Sequence, residues 1–347
     1  MISCSVVIPV HNRAALTAQC LDALRGAGHE LAVPEIVVVD DASSDSTARI
    51  LADRAEHVQV VRHERSTGFA ASCNDGAAAG TGEWIAFLNN DTIPQQGWLD
   101  ALLHYASPRD RIGFVGAKLL FPNDTIQHAG VVFARDLSPH HIYAGFSADD
   151  PLVNKSREFQ VVTGACAVIR RALFEELGGF DTSFVNGYED IDLCLRLHGL
   201  GYEVHYCHES VLYHLESATR DDALNRRNHE LFLERWSETI HQDDVHYYVE
   251  DGLIDFTYPG QFPVLLSVSA DLAAIDGERA NASERLLAER SRQVFEALKE
   301  NTRLSIELLE AEQQARATRD ETELLASDTS GCGNPSSATK TLDISGS

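Results

Sequence analysis

SVVIPVHNRAALTAQCLDALRGAGHELAVPEIVVVDD, residues 5–41, contains a strand, a helix and a second strand in succession. SVVIPV (5–10) is a β-branched run with little polar interruption, and EIVVVDD (35–41) is an apolar run closing on two carboxylates. Between them, Ala14 to Leu24 carries apolar residues at helical spacing. Strands that are apolar on both faces and joined by a helix specify parallel pairing with cover on each side. The pattern continues outward. Ser43 to Asp53 reads as a helix with a polar start, VQVVRH (58–63) as a third strand and GFAASCNDGAAAG (68–80) as a small-residue helix. EWIAFLNND (83–91) reads as a fourth strand. In such sheets ligands bind beyond the carboxyl ends of the strands, which selects Pro9–Asn12, Asp40–Asp41 and Asn89–Asp91.

After residue 110 the pattern is mixed. Ile112–Phe121, Gly130–Phe133 and Phe159–Arg170 read as strands, and Arg171–Leu177 as a short helix ending in Gly178–Gly179. YEDIDLCLRLHGLG (188–201) and Ala223 to Ile240 read as helices, and the unpatterned segment 136–154 as a mobile loop. A chain of 347 residues, at ~150 per domain, has room for about two. The expected division is a domain over 1–245, a Tyr/Pro/Gly-containing connector over 246–276, a helical extension over 277–326 and a disordered polar tail over 327–347. The extension keeps a heptad only briefly (Leu287, Val294, Leu298). It reads as a solvated amphipathic helix or pair, with self-association as the competing expectation.

Composition removes whole classes of function. Against 28 Lys and Arg stand 53 Asp and Glu, a net charge of −25 that excludes nucleic acid and anionic surfaces as nonspecific partners. Seven cysteines without a CxxC pair give neither a disulfide framework nor a zinc ribbon, and Cys194, Cys207, His208 and His214 fit no standard finger. MISCSVVIPVHNR lacks a basic leader, and no stretch approaches ~18 consecutive apolar residues, so no transmembrane segment is expected. The expected setting is cytoplasmic, in solution or peripheral at the inner face of the membrane. Gly26-Ala27-Gly28 closes a helix instead of following a strand, which removes a dinucleotide fingerprint. Neither a GxxxxGK[ST] loop nor a GxSxG elbow occurs.

Carboxylates at strand ends remain. Asp40–Asp41 can accept from a base N–H or a ribose hydroxyl, although helix capping competes as an explanation for Asp41 and Asp45. Asp91 can reach a divalent ion whose shell substrate phosphates would complete. Glu189-Asp190-Ile191-Asp192 puts three carboxylates in one helical turn. The helix dipole accounts for part of that cluster, and one member could serve as a general base. His214, after an apolar strand, is a candidate metal ligand beside the more ordinary reading of a packed histidine.

SVVIPVHNR, VVVDDASSDST, GFAASCNDGAAAGTGEWIAFLNNDT, GACAVIRR, GGFDTSF, YEDIDLCLRLHGLGY and YHLESATR, in this order, resemble a family 2 glycosyltransferase over about residues 3–240. Within it the chain is most similar to soluble, non-processive, rhamnosyltransferase-like enzymes of bacterial surface polysaccharide and glycoconjugate synthesis. The resemblance implies an α/β fold of the GT-A type, a mostly parallel sheet flanked by helices. It places Pro9, His11, Asp40, Asp41 and Asn90 at the nucleotide, and Asp91 with His214 at a Mn2+ or Mg2+ ion. Asp190 takes the place of the catalytic base, and Glu189, Ser217 and Arg220 stand near diphosphate and acceptor. Asn89 and Asn90 stand where many relatives carry Asp, and Phe232 replaces the Gln of the QxxRW signature of processive synthases.

The implied reaction is an inverting, metal-dependent transfer from a nucleotide-sugar donor to the hydroxyl of a glycan, lipid-linked or protein acceptor. Two rivals stand beside it. One is a non-catalytic sugar-nucleotide-binding scaffold with a partner-recruiting helical C-terminus. The other is a nucleotidyltransferase, for which Pro9-Val10-His11-Asn12-Arg13 lacks the glycine-rich basic loop.

Overall fold

A computed structural model of the chain describes residues 2–28, 32–215, 222–257, 265–269 and 272. Ser217, Arg220, the extension 277–326 and the tail 327–347 lie outside the described residues. By internal contacts the chain divides into Met1–Ile275 and Asp276–Ser347, and every described residue belongs to the first unit.

The elements begin with β1 (Ile2–Val10), α1 (Ala14–Gly26), β2 (Ala32–Asp40), α2 (Thr47–Ala52), β3 (Gln59–Arg62), α3 (Phe69–Ala79) and β4 (Trp84–Leu88). Next come β5 (Thr92–Pro94), α4 (Trp98–Ala106), β6 (Ile112–Leu120), β7 (Ile126–His128), β8 (Val131–Phe133), β9 (Pro139–His141) and β10 (Arg157–Glu158). The described part closes with β11 (Cys166–Arg170), α5 (Arg171–Glu176), α6 (Glu189–Gly199), β12 (Glu203–His214), α7 (Asp222–Trp236), α8 (Asp244–Glu250), β13 (Ile254–Thr257) and β14 (Leu265–Val268).

One sheet organises them, in the order β10-β12-β6-β11-β4-β1-β2-β3, with β5 on β12 and β7 on β6. β1 pairs in parallel with β2 and β4, β2 with β3, and β6 with β12. β11 is inserted antiparallel between β4 and β6. The carboxyl ends of β1, β2, β4, β6 and β12 therefore share one edge.

The strands are apolar on both faces because both faces are covered. In β4, Ile85 and Phe87 enter one buried cluster while Trp84, Ala86 and Leu88 enter the other. This is the period-two alternation of a central strand. The small-residue composition of α3 has a steric cause: a Cβ at Gly76 would lie 2.4 Å from Val7 Cγ1.

Three expectations are revised. The helix expected from Ser43 begins only at Thr47, because the polar residues before it are spent on the loop. Asp45 accepts the N–H of Ala14 (3.0 Å) and of Thr47 (2.9 Å), so it ties the starts of two helices together. The strand expected over Phe159–Arg170 survives only as Cys166–Arg170; before it only isolated pairings remain, the Phe159 N–H on the Val204 carbonyl (2.9 Å) and a bridge between Val161 and Val131. The segment 136–154, expected as a mobile loop, instead contributes β9 and buries Ile142, Tyr143, Phe146 and Val153. Its anchor is Asp251, whose fully buried carboxylate takes the Tyr143 hydroxyl, Lys155 and Arg157. Arg157 also lies over the rings of Tyr143, Phe159 and Tyr247.

Candidate active site

The sheet edge gathers the expected residues. Pro9 is buried at the end of β1, in register with Val39. His11, just beyond it, is exposed and its Nδ1 lies 2.6 Å from the Asp41 carbonyl. The two carboxylates at the end of β2 have separate duties. Asp40 is buried, ion-paired to Arg62, and accepts the Ser43 N–H (2.9 Å).

Asp41 gathers the loop that leads into α3. It accepts from His63 Nδ1 (2.8 Å), Ser66 Oγ (2.7 Å), and the backbone N–H groups of Thr67 (2.7 Å) and Gly68 (3.0 Å). Burial alone would raise its pKa. The donors, His63 foremost, outweigh burial and hold it down at about 2. Both carboxylates thus brace the loops at this sheet edge through protein contacts. Asn90, expected at the nucleotide, donates to Thr17 Oγ1 on α1 (2.9 Å).

Asp91 and His214 meet across the sheet. β5, which follows Asp91, pairs antiparallel with the end of β12 and sets Thr92 opposite His214. The imidazole Nε2 of His214 lies 3.1 Å from Asp91 Oδ1. Asn89 closes the group, with its Nδ2 3.5 Å from the same nitrogen. Its buried Oδ1 has no hydrogen-bond partner among the described residues. A carboxylate oxygen and an imidazole nitrogen form a donor pair whose chemistry fits Mn2+ or Mg2+, with the Asn89 amide beside them.

Another group with metal-ligand chemistry, Glu158, Glu203 and His205, sits toward the opposite end of β12, roughly 20 Å from His214 by its register with β6. There His205 Nδ1 is engaged by the Tyr105 hydroxyl (3.0 Å), and Nε2 lies 3.2 Å from Glu203 of the same group.

Asp190 opens α6. Its Oδ2 accepts the Gly164 N–H (2.8 Å) and its Oδ1 the N–H of Ile191 (2.9 Å). The neighbouring Glu189 is buried and accepts the Gly187 N–H (2.6 Å). Burial, and then the charge of Asp190, push its carboxyl up to about 8, which favours the protonated form of Glu189.

The segment 163–165 joins the two halves of the site. Thr163 donates its N–H to His128 Nε2 (3.2 Å), Gly164 donates to Asp190, and the carbonyl of Ala165 accepts the Asn89 N–H (2.8 Å). His128 is wholly buried and its Nδ1 donates to the Ala117 carbonyl (2.9 Å). Burial and the nearby His141 hold its pKa well below the ordinary imidazole value. This segment is why the strand expected over Phe159–Arg170 stops short: its N–H groups serve the site instead of the sheet.

Three residues near the site were not evident from the sequence. His63 supports Asp41, Asn228 on α7 holds the turn before Asp190, and Gln127 contacts His214. A polar residue inside the buried run Ile126–His128 was the one available signal for Gln127. Asn228 and His63 carried none.

Known proteins share this architecture. A mannosyltransferase from Pyrobaculum calidifontis, PcManGT, solved in complex with GDP-Man and Mn2+, superposes with a TM-score of 0.52 at 20% identity, over 71% of this chain and 68% of its own. The fold is GT-A. The O-antigen biosynthesis protein RfbC of Myxococcus xanthus is 32% identical over 223 residues, 62% of this chain and 17% of RfbC. The N-acetylglucosaminyl-diphospho-decaprenol L-rhamnosyltransferase of Mycobacterium tuberculosis is 24% identical over 222 residues, 56% of this chain and 71% of that one. The chain spans less than half the length of the more similar curated relatives. Among the described residues no helix is long and apolar enough to cross a membrane. The profile of glycosyl transferase family 2 matches residues 5–178, half of the chain, and with the sheet order and strand-edge residues above, the chain belongs to that family.

Proposed function

We propose that this chain transfers a sugar from a nucleotide-diphosphate donor to an acceptor hydroxyl, with inversion at the anomeric carbon and with Mn2+ or Mg2+ bound. The observation that carries the reading is the convergence of Asp91, His214 and Asn89 at one strand edge, tied through residues 163–165 to Asp190. Asp91 and His214 would hold the cation. When bound, the cation supplies Lewis-acid neutralisation of the charge on the diphosphate.

Asp190 is the general base. It removes the proton of the acceptor hydroxyl as that oxygen bonds to the anomeric carbon and the bond to diphosphate breaks. Two backbone N–H donors fix its carboxylate without neutralising it. Glu189, kept protonated, adds no second negative charge beside it. Pro9, His11 and the loop organised by Asp41 form the nucleoside side of the pocket, and Ser217 and Arg220 are proposed at the diphosphate. The acceptor is a glycan, lipid-linked or protein hydroxyl of surface polysaccharide or glycoconjugate synthesis, which the RfbC and rhamnosyltransferase likenesses support.

The test is a thermal-shift screen of nucleoside diphosphates and nucleotide sugars, with and without Mn2+. At least one should raise the melting temperature only with the cation present. A uniform null, or stabilisation indifferent to Mn2+, contradicts the proposal.

A further inference from the structure

Gln127 sits in the middle of β7, 4% exposed, between Ile126 and His128, which are also buried. Burying an amide there costs free energy unless both its ends are bonded. Each end meets His214. Oε1 lies 2.6 Å from His214 Nδ1, and Nε2 donates to the His214 carbonyl across 3.3 Å. Turning the amide over would set its oxygen against that carbonyl, so these two contacts fix its orientation. An amide oxygen only accepts, and Nδ1 must therefore carry a hydrogen.

The backbone supports the same arrangement. In the antiparallel pair β6–β7, Leu119 faces His128 and Leu120 faces Ile126, leaving Gln127 as the extra residue of a bulge. Bulges re-aim side chains beside functional sites. The Gln127 carbonyl is itself 2.8 Å from His141 Nδ1, which steadies the bulge from the far side.

We propose that Gln127 is the positioning residue of the site: it holds the His214 ring with its proton on Nδ1, so that Nε2 is the nitrogen presented to the cation beside Asp91. The inference rests on the reading of Asp91 and His214 as a cation pair. Without Gln127, Nδ1 loses the amide oxygen 2.6 Å away, and nothing then offsets the pull of the Asp91 carboxylate 3.1 Å from Nε2. It would then draw the proton onto Nε2, the nitrogen a cation needs. An acceptor on the far nitrogen of a metal-binding imidazole typically contributes 10–100-fold in metal affinity.

The first test needs no substitution at Gln127. In metal-free, 15N-histidine-labelled protein at about pH 9, above the ordinary imidazole range, the His214 signals are assigned by their loss in H214A. Nδ1 should be the protonated nitrogen, and a bare Nδ1 overturns the proposal. In Q127M the proton should move to Nε2, and in Q127E, which restores an acceptor, it should return to Nδ1. Mn2+ binding, read by water-proton relaxation, should weaken about 10–100-fold in Q127M. Wild-type affinity in Q127M overturns the positioning role. If H214A also binds Mn2+ as wild type does, or wild type does not bind it, the cation-pair reading itself fails, whatever the ring proton shows.

Discussion

Gly164 donates its backbone N–H to Asp190 Oδ2 across 2.8 Å, and a Cβ added at Gly164 would lie 3.1 Å from Asp190 Cβ. The residue that orients the proposed base is thus also the one that leaves room for it. Gly164→Ala should push Asp190 by a few tenths of an ångström. Misplacements of ~1 Å cost about a hundredfold in rate, so a fall in kcat of roughly tenfold is expected, with donor affinity retained in calorimetry. Unchanged kcat would show that the base tolerates displacement or lies elsewhere.

Glu189 predicts a pH dependence of stability. Its carboxyl, raised by burial and by Asp190, keeps its proton in the folded chain up to about pH 8, whereas the unfolded chain releases it above about 4.3. The cost of retaining that proton grows as pH rises between those values. Glu189→Gln has no proton to hold and keeps an acceptor for the Gly187 N–H. The variant should melt several degrees above wild type at about pH 8, with the gap closing toward about pH 4. A variant less stable than wild type at the higher pH would contradict the assignment.

Asn228 braces the turn in front of Asp190. Asn186, Gly187 and Tyr188 all have positive φ (55°, 144° and 74°), a run that isolated chain avoids. The buried Asn228 amide donates to the carbonyls of Val185 (2.8 Å) and Gly187 (3.0 Å) and accepts the Val185 N–H (3.3 Å). Asn228→Ala leaves these groups unpaired and should cost about 1–3 kcal/mol in urea unfolding. In conditions where the variant remains folded, kcat should fall more than KM rises, because the base loses its placement and the donor does not. Equal stability to wild type would mean the turn is held by other contacts.

The relation between sequence and structure varies from residue to residue. The ends of β1, β2 and β4 were legible because continuous apolar runs stop at polar residues, and a parallel sheet puts those stops on one edge. Asp91 and His214 were legible through motif order, and the β5–β12 pairing supplies the reason they meet. Gly164, Gln127 and Asn228 were not, since each acts through one backbone N–H or one amide, and such contacts leave no periodic trace. The burial of 136–154 was hidden because its apolar residues follow neither helical nor strand spacing. Its anchor, Asp251, lies far along the chain. Helix capping was foreseen as an alternative for Asp45, whereas its reach to a second helix and the many donors around Asp41 required the fold.

The central claim is that sugar transfer here depends on a cation held at Asp91 and His214. The most direct measurement is release of nucleoside diphosphate from a panel of nucleotide sugars, comparing wild type with Asp91→Asn in Mn2+ and in EDTA. Wild type should release nucleotide in Mn2+, lose that activity in EDTA and recover it with excess Mn2+. Asp91→Asn, melting at the wild-type temperature, should be slower by at least about a hundredfold, within the range of several kcal/mol that such charge stabilisation supplies. Full activity in EDTA, or a variant as fast as wild type, would contradict the account.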